Sequence, residues 1–466
     1  MTDPLAGLPA EYPAGLTGRI QAEIARSNRK LIAVDDDPTG VQTVYDTPVL
    51  ARWTVPDLVA ELRDTGPLCF LLTNSRSLPE PEAVRINQEI AANLVAASAE
   101  TGRGFVIASR SDSTLRGHFP AETDALASIL GGIDGVLLVP AFFEGGRLTA
   151  GDIHWVRDGD RLVPAAETEF ARDATFGYSH SNLREWVAEK TSGRIAAGAV
   201  GSISLDDIRR GGPDRVAAIL ADVSYEQPIV VNSVTYRDLD VIALGTLQAE
   251  AAGTRLLYRT GAGFVRVRAG LAERPLLSRQ ELLGPDAKTP APGLVVVGSH
   301  VRRSSEQLAE LLTLPGIAPV ELAVPELRDP ASRAAEISRA QKEITAALET
   351  AMTPVLFTSR RGELARDPAA QLDVSQSISA ALVEVVQGIG SAPDWVVGKG
   401  GITSSDIGTI ALGARRAIVL GQIQPGIPVW RLGPESRYPG LPYVVFPGNV
   451  GGPETLRDVI RALRGL

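Results

Sequence analysis

Hydrophobic and polar positions along this chain fall into blocks. Short apolar runs at Leu31–Val34, Phe70–Thr73, Phe105–Ala108 and Val136–Val139 each lead into a polar or glycine-rich loop and then into a stretch of helical period. Continuous rather than alternating runs fit strands covered on both faces, as in parallel α/β sheets. Within Pro81–Ala99, the residues Ala83, Ile86, Ile90, Leu94 and Ala97 recur at spacings of three and four, the stripe of one helix face. The same grammar returns at Leu294–Val297, Val355–Thr358, Trp395–Val397, Ala417–Leu420 and Tyr443–Phe446. Alternation of strand and helix predicts an α/β protein of two domains, each an open mostly parallel sheet flanked by helices, with a cleft between them.

The break between the two series falls in Arg274–Gly293, which carries four prolines and two glycines. It reads as a linker. The expected division is a first domain over 1–275, a linker over 276–293 and a second domain over 294–466, each long enough for its own core.

Composition narrows the function classes. Apolar residues at 44% and charged residues at 22% exclude a disordered chain. With 46 basic and 55 acidic residues the formal charge is −9, which argues against a nucleic-acid partner. Apolar stretches such as Val136–Phe143, broken by Pro140, fall short of the ~20 residues a bilayer span needs, so no membrane association is expected. The start, Met1-Thr2-Asp3-Pro4, shows neither a basic nor an apolar leader segment. A single cysteine, Cys69, sits in an apolar run and allows no intrachain disulfide. These features suit a cytoplasmic protein. The four histidines lack metal-site spacing.

In open α/β sheets, ligands sit beyond the carboxyl ends of strands, so the residues after each run carry the chemistry. In the first half these are Asp35-Asp36-Asp37-Pro38-Thr39-Gly40, Asn74-Ser75-Arg76-Ser77, Ser109 to Gly117, and Phe142 to Thr149 with Arg147. Aspartates, hydroxyls and arginines gathered at one rim suit a small polyhydroxylated acid. Arginine forks match a carboxylate, and an aspartate can take a proton from a hydroxyl. Asp and Ser in such loops also cap helices and shape turns. Asp35-x-Asp37-x-Thr39 after a strand matches in addition the first motif of haloacid-dehalogenase-like phosphatases, with Asp35 as nucleophile and Asp37 as acid/base. A sugar phosphatase is therefore one alternative, and a non-catalytic nucleotide-binding protein another.

The second half differs. Its strand ends run into Gly298-Ser299-His300, Gly398-Lys399-Gly400-Gly401-Ile402 and Pro447-Gly448-Asn449-Val450-Gly451-Gly452. Ser304-x-x-Gln307 and Thr403-x-x-Asp406 read as capping boxes opening the next helices, and Pro453 as a first helical residue. Glycines let backbone amides approach a phosphate at a helix start. There is no P-loop motif and no G-x-G-x-x-G after a strand. A polyol-acid pocket facing a phosphate cradle is the arrangement phosphoryl transfer needs.

At these residues the chain resembles the four-carbon acid sugar kinase family. Asp36-Asp37-Pro38-Thr39-Gly40 is similar to the family's D-D-x-T-G, and Asp112-Ser113-Thr114-Leu115-Arg116-Gly117 to its D-S-T-L-R-G. Gly146-Arg147-x-Thr149, Glu169–Asp173, Gly298-Ser299, Gly400–Ser404 and Pro447–Gly451 also resemble family segments. The resemblance implies an acid-sugar-binding first domain, an ATP-binding second domain, and ATP-dependent phosphorylation of the terminal hydroxyl of a threonate, erythronate or 3-oxo-tetronate. On that reading Asp36 or Asp112 accepts the hydroxyl proton, with Asp36 favoured because a loop aspartate at a strand end can reach the cleft centre. Asp37, Thr39, Arg76, Arg110, Ser113, Arg116 and Arg147 face the acid, with Arg116, helped by Arg76 or Arg110, on its carboxylate. Ser299, Lys399, Gly400, Gly401, Ile402, Thr403, Gly448, Asn449 and Gly451 hold ATP, with Lys399 over the transferring phosphate. Magnesium would arrive with ATP rather than in a dedicated protein site. A homo-oligomer is left open.

Overall fold

The computed structural model describes residues 4–299, 301–359, 368–448 and 450–466, with side chains 368–376 outside the description. The chain forms two compact units, Met1–Thr43 with Arg52–Glu273, and Val44–Ala51 with Arg274–Leu466.

The first unit carries β1 (Arg29–Asp35), β3 (Leu68–Leu72), β4 (Gly104–Arg110), β5 (Gly135–Val139), β9 (Gly201–Ile203), β10 (Gln227–Val231) and β11 (Leu256–Thr260); β2 (Thr47–Leu50) belongs to the second unit. The order is β3-β1-β4-β11-β5-β10-β9, with every pairing parallel. The core strands β1, β3, β5 and β11 are almost wholly buried, which is why they read as unbroken apolar runs. The expected helix runs over Glu80–Thr101, and its five striped positions are buried. Hydrogen bonding continues one step past the strand ends: Thr73 N to Asp35 O at 2.9 Å, Asp36 N to Arg110 O at 3.2 Å, Ser111 N to Thr260 O at 2.9 Å and Gly261 N to Val139 O at 2.9 Å. This lacing aligns the loops of four strands at one rim.

An antiparallel meander interrupts the alternation after β5: β6 (Arg147–Ala150), β7 (Ile153–Asp158) and β8 (Arg161–Pro164). Two short 3₁₀ turns, Ala165–Glu167 and Glu169–Arg172, come next. Leu115, Phe119, Val156, Ala165, Ala171, Tyr178 and Trp186 share one buried cluster, so this excursion packs directly on the Asp112–Gly117 loop.

The second unit carries β2 with β12 (Gly293–Val297), β13 (Ile317–Leu322), β14 (Thr353–Thr358), β15 (Trp395–Lys399), β16 (Arg416–Gln424), β17 (Ile427–Leu432) and β18 (Pro442–Phe446). The order is β13-β14-β12-β15-β18-β17-β16-β2. Its first five strands are parallel, and β17, β16 and β2 add antiparallel pairings. The proline-rich stretch expected as a linker is part of this unit. Ser278 and Glu281 cap a short helix, Arg279–Leu283, and Leu277, Leu282 and Ala291 enter the core beside Trp395 and Val429. Three apolar side chains spaced between prolines carry no period, so their burial is invisible to a pattern argument. Among the described residues no helix is long and apolar enough to cross a membrane.

Candidate active site

The triple aspartate at the end of β1 divides into three roles. Asp35, 1% exposed, turns inward with its Oδ1 3.4 Å from Arg110 Nη1. Gly40 lies directly over it: a Cβ there would stand 1.9 Å from Asp35 Oδ2, so no larger residue fits. Burial, only partly offset by Arg110, pushes the Asp35 carboxyl up to about 8. Asp36 and Asp37 meet Arg76 from the loop after β3. Arg76 donates Nε to Asp36 Oδ2 at 3.1 Å, Nη2 to Asp36 Oδ1 at 2.5 Å and Nη1 to Asp37 Oδ2 at 3.0 Å. One planar fork thus holds two successive carboxylates. Asp37 also accepts from Thr39 Oγ1 at 2.5 Å and Thr39 N at 2.8 Å. Burial would raise the Asp37 carboxyl, but Arg76 and Thr39 outweigh it and hold it below its ordinary range.

The loop after β4 is shaped by Leu115 and Gly117, at φ of +72° and +121°. Asp112 accepts from Arg116 Nε at 2.6 Å and from the Thr114 hydroxyl, and Arg116 Nη1 lies 3.6 Å from Asp173 Oδ2. Against the cost of burial, Arg76 and Arg116 hold the Asp112 carboxyl well below the usual range. The loop is fixed from below. Tyr178 Oη donates to Thr114 O at 2.8 Å and His154 Nε2 to Ser113 O at 2.7 Å. A carbonyl can only accept, so the His154 proton is on Nε2, and Nδ1 takes the Thr149 hydroxyl at 3.0 Å. Burial pushes His154 down to about 4, so it is a neutral strut.

Arg116 and Arg147 share one ring, Phe170, with guanidinium carbons 5.3 and 5.5 Å from its centroid. The segment after the meander supplies that ring and Asp173. Further in, Glu122 accepts from Ser75 Oγ at 2.5 Å, and burial with Asp36 nearby pushes it up to about 7. Arg259, at the end of β11 and 1% exposed, donates to Arg116 O at 3.2 Å and stacks on Trp186.

In the second unit three loops interlock. Gly400 N donates to Phe446 O at 2.9 Å, and Gly400, at φ +112°, caps the helix Gly401–Asp406. A Cβ on Gly298 would stand 2.3 Å from Thr403 Oγ1, and one on Gly400 2.9 Å from Ser299 Cβ. Side-chain-free backbone therefore brings the loops after β12 and β15 together, with Gly448 next to Ser299. The helix start leaves its first amides without intrahelical partners, a cradle suited to phosphate oxygens. Ile402 is 53% exposed at this edge.

Two domain models of known proteins match this chain, a sugar-binding N-terminal domain over residues 31–268 and a nucleotide-binding C-terminal domain over 294–456. The chain belongs to the four-carbon acid sugar kinase family. Its relatives include a D-erythronate kinase of Heliobacterium modesticaldum, 28% identical over 275 residues, which are 59% of this chain and 57% of that relative's own length. A D-threonate kinase of Cupriavidus necator is 26% identical over 82% of this chain and 83% of the relative. Among solved structures, a Salmonella typhimurium protein superposes with TM-score 0.67 at 18% identity, over 94% of this chain and 99% of that one. A Haemophilus influenzae protein does so with TM-score 0.61 at 19% identity, over 93% and 99%. These likenesses speak to the fold.

Within this family frame several expected roles change. Arg110, expected on the acid, is 4% exposed and faces the buried Asp35 carboxyl. Thr39 orients Asp37. Asp35, the nucleophile of the phosphatase alternative, is 1% exposed beneath Gly40 rather than open at the rim. Lys399 was expected over the transferring phosphate. It is fully buried, donating Nζ to Pro447 O at 2.6 Å and Gly448 O at 3.1 Å over the Phe446 ring, because β15 runs further than expected, to Lys399 itself, and turns the side chain inward. Neither expected capping box forms. Helix Arg302–Leu311 starts earlier, and Ser304 and Gln307 instead tie Gly448, Val450 and Gly452 carbonyls. Thr403 lies inside its helix, and Pro453 precedes a helix that begins at Thr455. Asn449 lies outside the described residues. Phe170, Asp173, Glu122 and Arg259 carried no expected role. Arg259 had a signal, an arginine ending the apolar run Leu256–Tyr258.

Proposed function

We propose that this protein is an ATP-dependent kinase that phosphorylates the terminal hydroxyl of a four-carbon sugar acid of the threonate, erythronate or 3-oxo-tetronate class, in the cytoplasm where ATP is available. The observation that carries this reading is the Arg76 fork on Asp36 and Asp37 beside the Asp112–Arg116 pair on the neighbouring strand end. Such a rim offers acceptors to hydroxyls and cations to a carboxylate, and the names of the two relatives agree with that chemistry.

ATP supplies the phosphoryl group. The protein's part is to orient the hydroxyl, take its proton and exclude water. Asp36 takes the proton in this reading; Asp112, held ionised by two arginines and a threonine hydroxyl, is a weak acceptor. Gly298, Ser299, Gly400, Gly401, Thr403, Gly448 and Gly451 form the nucleotide cradle. Among the described residues no group of three or more His, Cys, Asp or Glu could hold a metal ion. In this reading magnesium enters on the triphosphate, where it neutralises β and γ oxygens.

A coupled ADP-release assay over D-erythronate, D-threonate, L-threonate and 3-oxo-tetronates, beside an ATP-free phosphate-release control, tests the reading. Acid-dependent ADP release is expected. Phosphate release from sugar phosphates without ATP, or ATP binding with no turnover of any acid, refutes it.

A further inference from the structure

The arginines at the first unit's rim are not equivalent. Arg76, Arg110 and Arg116 each have a carboxylate within 3.6 Å. Arg147 has no such partner among the described residues. Its Nη1 donates to the carbonyl of Gly145, and its Nε is buried with no hydrogen-bond partner. The residue is nonetheless rigidly held. Its amide donates to Phe142 O at 2.9 Å and its carbonyl accepts from Phe142 N at 3.1 Å. Gly145 makes room for the guanidinium, since a Cβ there would stand 2.2 Å from Arg147 Nη1.

Its surroundings are electrostatically unfinished. Burial, with the like charge of Arg116 nearby, holds the Arg147 guanidinium below its ordinary range against the opposing pull of Asp112. Asp112 already accepts from Arg116 and Thr114. Two guanidiniums on one ring repel unless an anion joins them. Arg259 also lacks a carboxylate partner among the described residues, but at 1% exposure behind Trp186 it is beyond a ligand's reach.

We propose that Arg147, its plane set by Phe170, receives the substrate's carboxylate, and that Arg116 serves to hold Asp112 and Asp173. This rests on the sugar-acid kinase reading and assigns the residue that sets its preference for acids over neutral polyols.

The test compares wild type, Arg147→Met and Arg147→Lys. The substrates are the panel acid that wild type turns over fastest and the primary amide of that acid, which keeps the hydroxyls and removes the charge. Arg147→Met is expected to raise the acid KM at least ~10-fold, the loss of a charge-assisted hydrogen bond. The KM values for the amide and for ATP stay unchanged, so the preference for acid collapses, and Arg147→Lys restores part of it. A merely structural defect would raise both KM values together. An unchanged acid KM, an equal loss on acid and amide, or a fall in kcat alone overturns the assignment. If wild type turns over no acid, the kinase reading fails first. Calorimetric titration of D-erythronate and D-threonate without ATP then decides this inference separately: binding lost in Arg147→Met supports it, and equal binding or none in wild type overturns it.

Discussion

Lys399 should make the second unit more stable in mild alkali than at neutrality. Its ammonium is buried, donates to the Pro447 and Gly448 carbonyls, and lies over the ring of Phe446. Burial, with Arg303 adding like charge, pushes it down from 10.5 to about 7. In the unfolded chain the lysine stays protonated up to its ordinary value. Between pH 7 and pH 10 the unfolded state therefore binds more protons, and stability rises with pH through that window. From pH 7 to pH 9 the gain is on the order of 2 kcal/mol. Lys399→Met keeps a long chain over Phe446 and removes the titration. It also strips a donor from two carbonyls, although Gly448 O keeps Ser304 Oγ at 3.3 Å. Other groups titrate in the same range, so the quantity to measure is the difference between the two proteins in urea unfolding at pH 7 and pH 9. The variant should compare best with wild type at pH 7 and lose ground, by about 2 kcal/mol, at pH 9. A difference independent of pH would show that Lys399 titrates outside this window, and the account of its burial would be wrong.

Four further outcomes are expected. Asp36→Asn should lower turnover by at least ~10²-fold with the fold intact by circular dichroism; wild-type turnover would remove Asp36 from proton transfer. Arg116→Lys loses the planar fork on Asp112 and Asp173, so kcat/KM for the acid should fall ~10-fold or more while ATP affinity by calorimetry stays put. Gly298→Ala puts a methyl 2.3 Å from Thr403 Oγ1 and 2.9 Å from Leu382 Cδ1, and should weaken ATP binding without moving the acid KM. Asp35 binds its proton more tightly folded than unfolded, so its contribution to stability is present below pH 4 and fades as pH rises towards 8; Asp35→Asn should flatten thermal midpoints across that range, and a parallel pH profile would sink this reading.

The parallel strands flanking both sites were legible because burial on two faces writes them as unbroken apolar runs, and the site residues occupy the loop after each run. Strands that do not obey that rule escaped. β16 alternates buried and half-buried positions along its length, and only its start was recognised. β2 is four residues long, too short for a period, yet it joins the second unit by pairing Thr47–Leu50 with Arg416–Val419. The first-unit rim was read from residue type, which singled out Asp36, Asp112, Arg76 and Arg116; the structure places these four on neighbouring loops. Whether an arginine meets ligand or a buried carboxylate depends on a partner distant in sequence: Asp35 faces Arg110 across 75 positions. Lys399 was expected in a loop because the strand was expected to end at Val397; it is instead the last residue of a strand buried throughout its length.

The two units recognise anions by opposite means. In the first, Arg76 and Arg116 spend their charge on carboxylates of the same chain, so they act by geometry more than by net potential, while Arg110 is buried against the Asp35 carboxyl. Of the four rim arginines, Arg147 is the one with no acidic side chain in ion-pair range among the described residues. In the second, the candidate cradle is backbone, and the cation close beneath it, Lys399, points its charge into the carbonyls of the loop rather than toward a ligand. Backbone amides offer a phosphate direction but little discrimination among polyphosphates, whereas a preset array of carboxylates and guanidiniums discriminates by the spacing of a ligand's hydroxyls and charges. If the proposed function holds, selectivity for the acceptor resides in the first unit, and substitutions that redirect this protein to another sugar acid belong at Asp37, Arg147 and Phe170 rather than in the glycine loops.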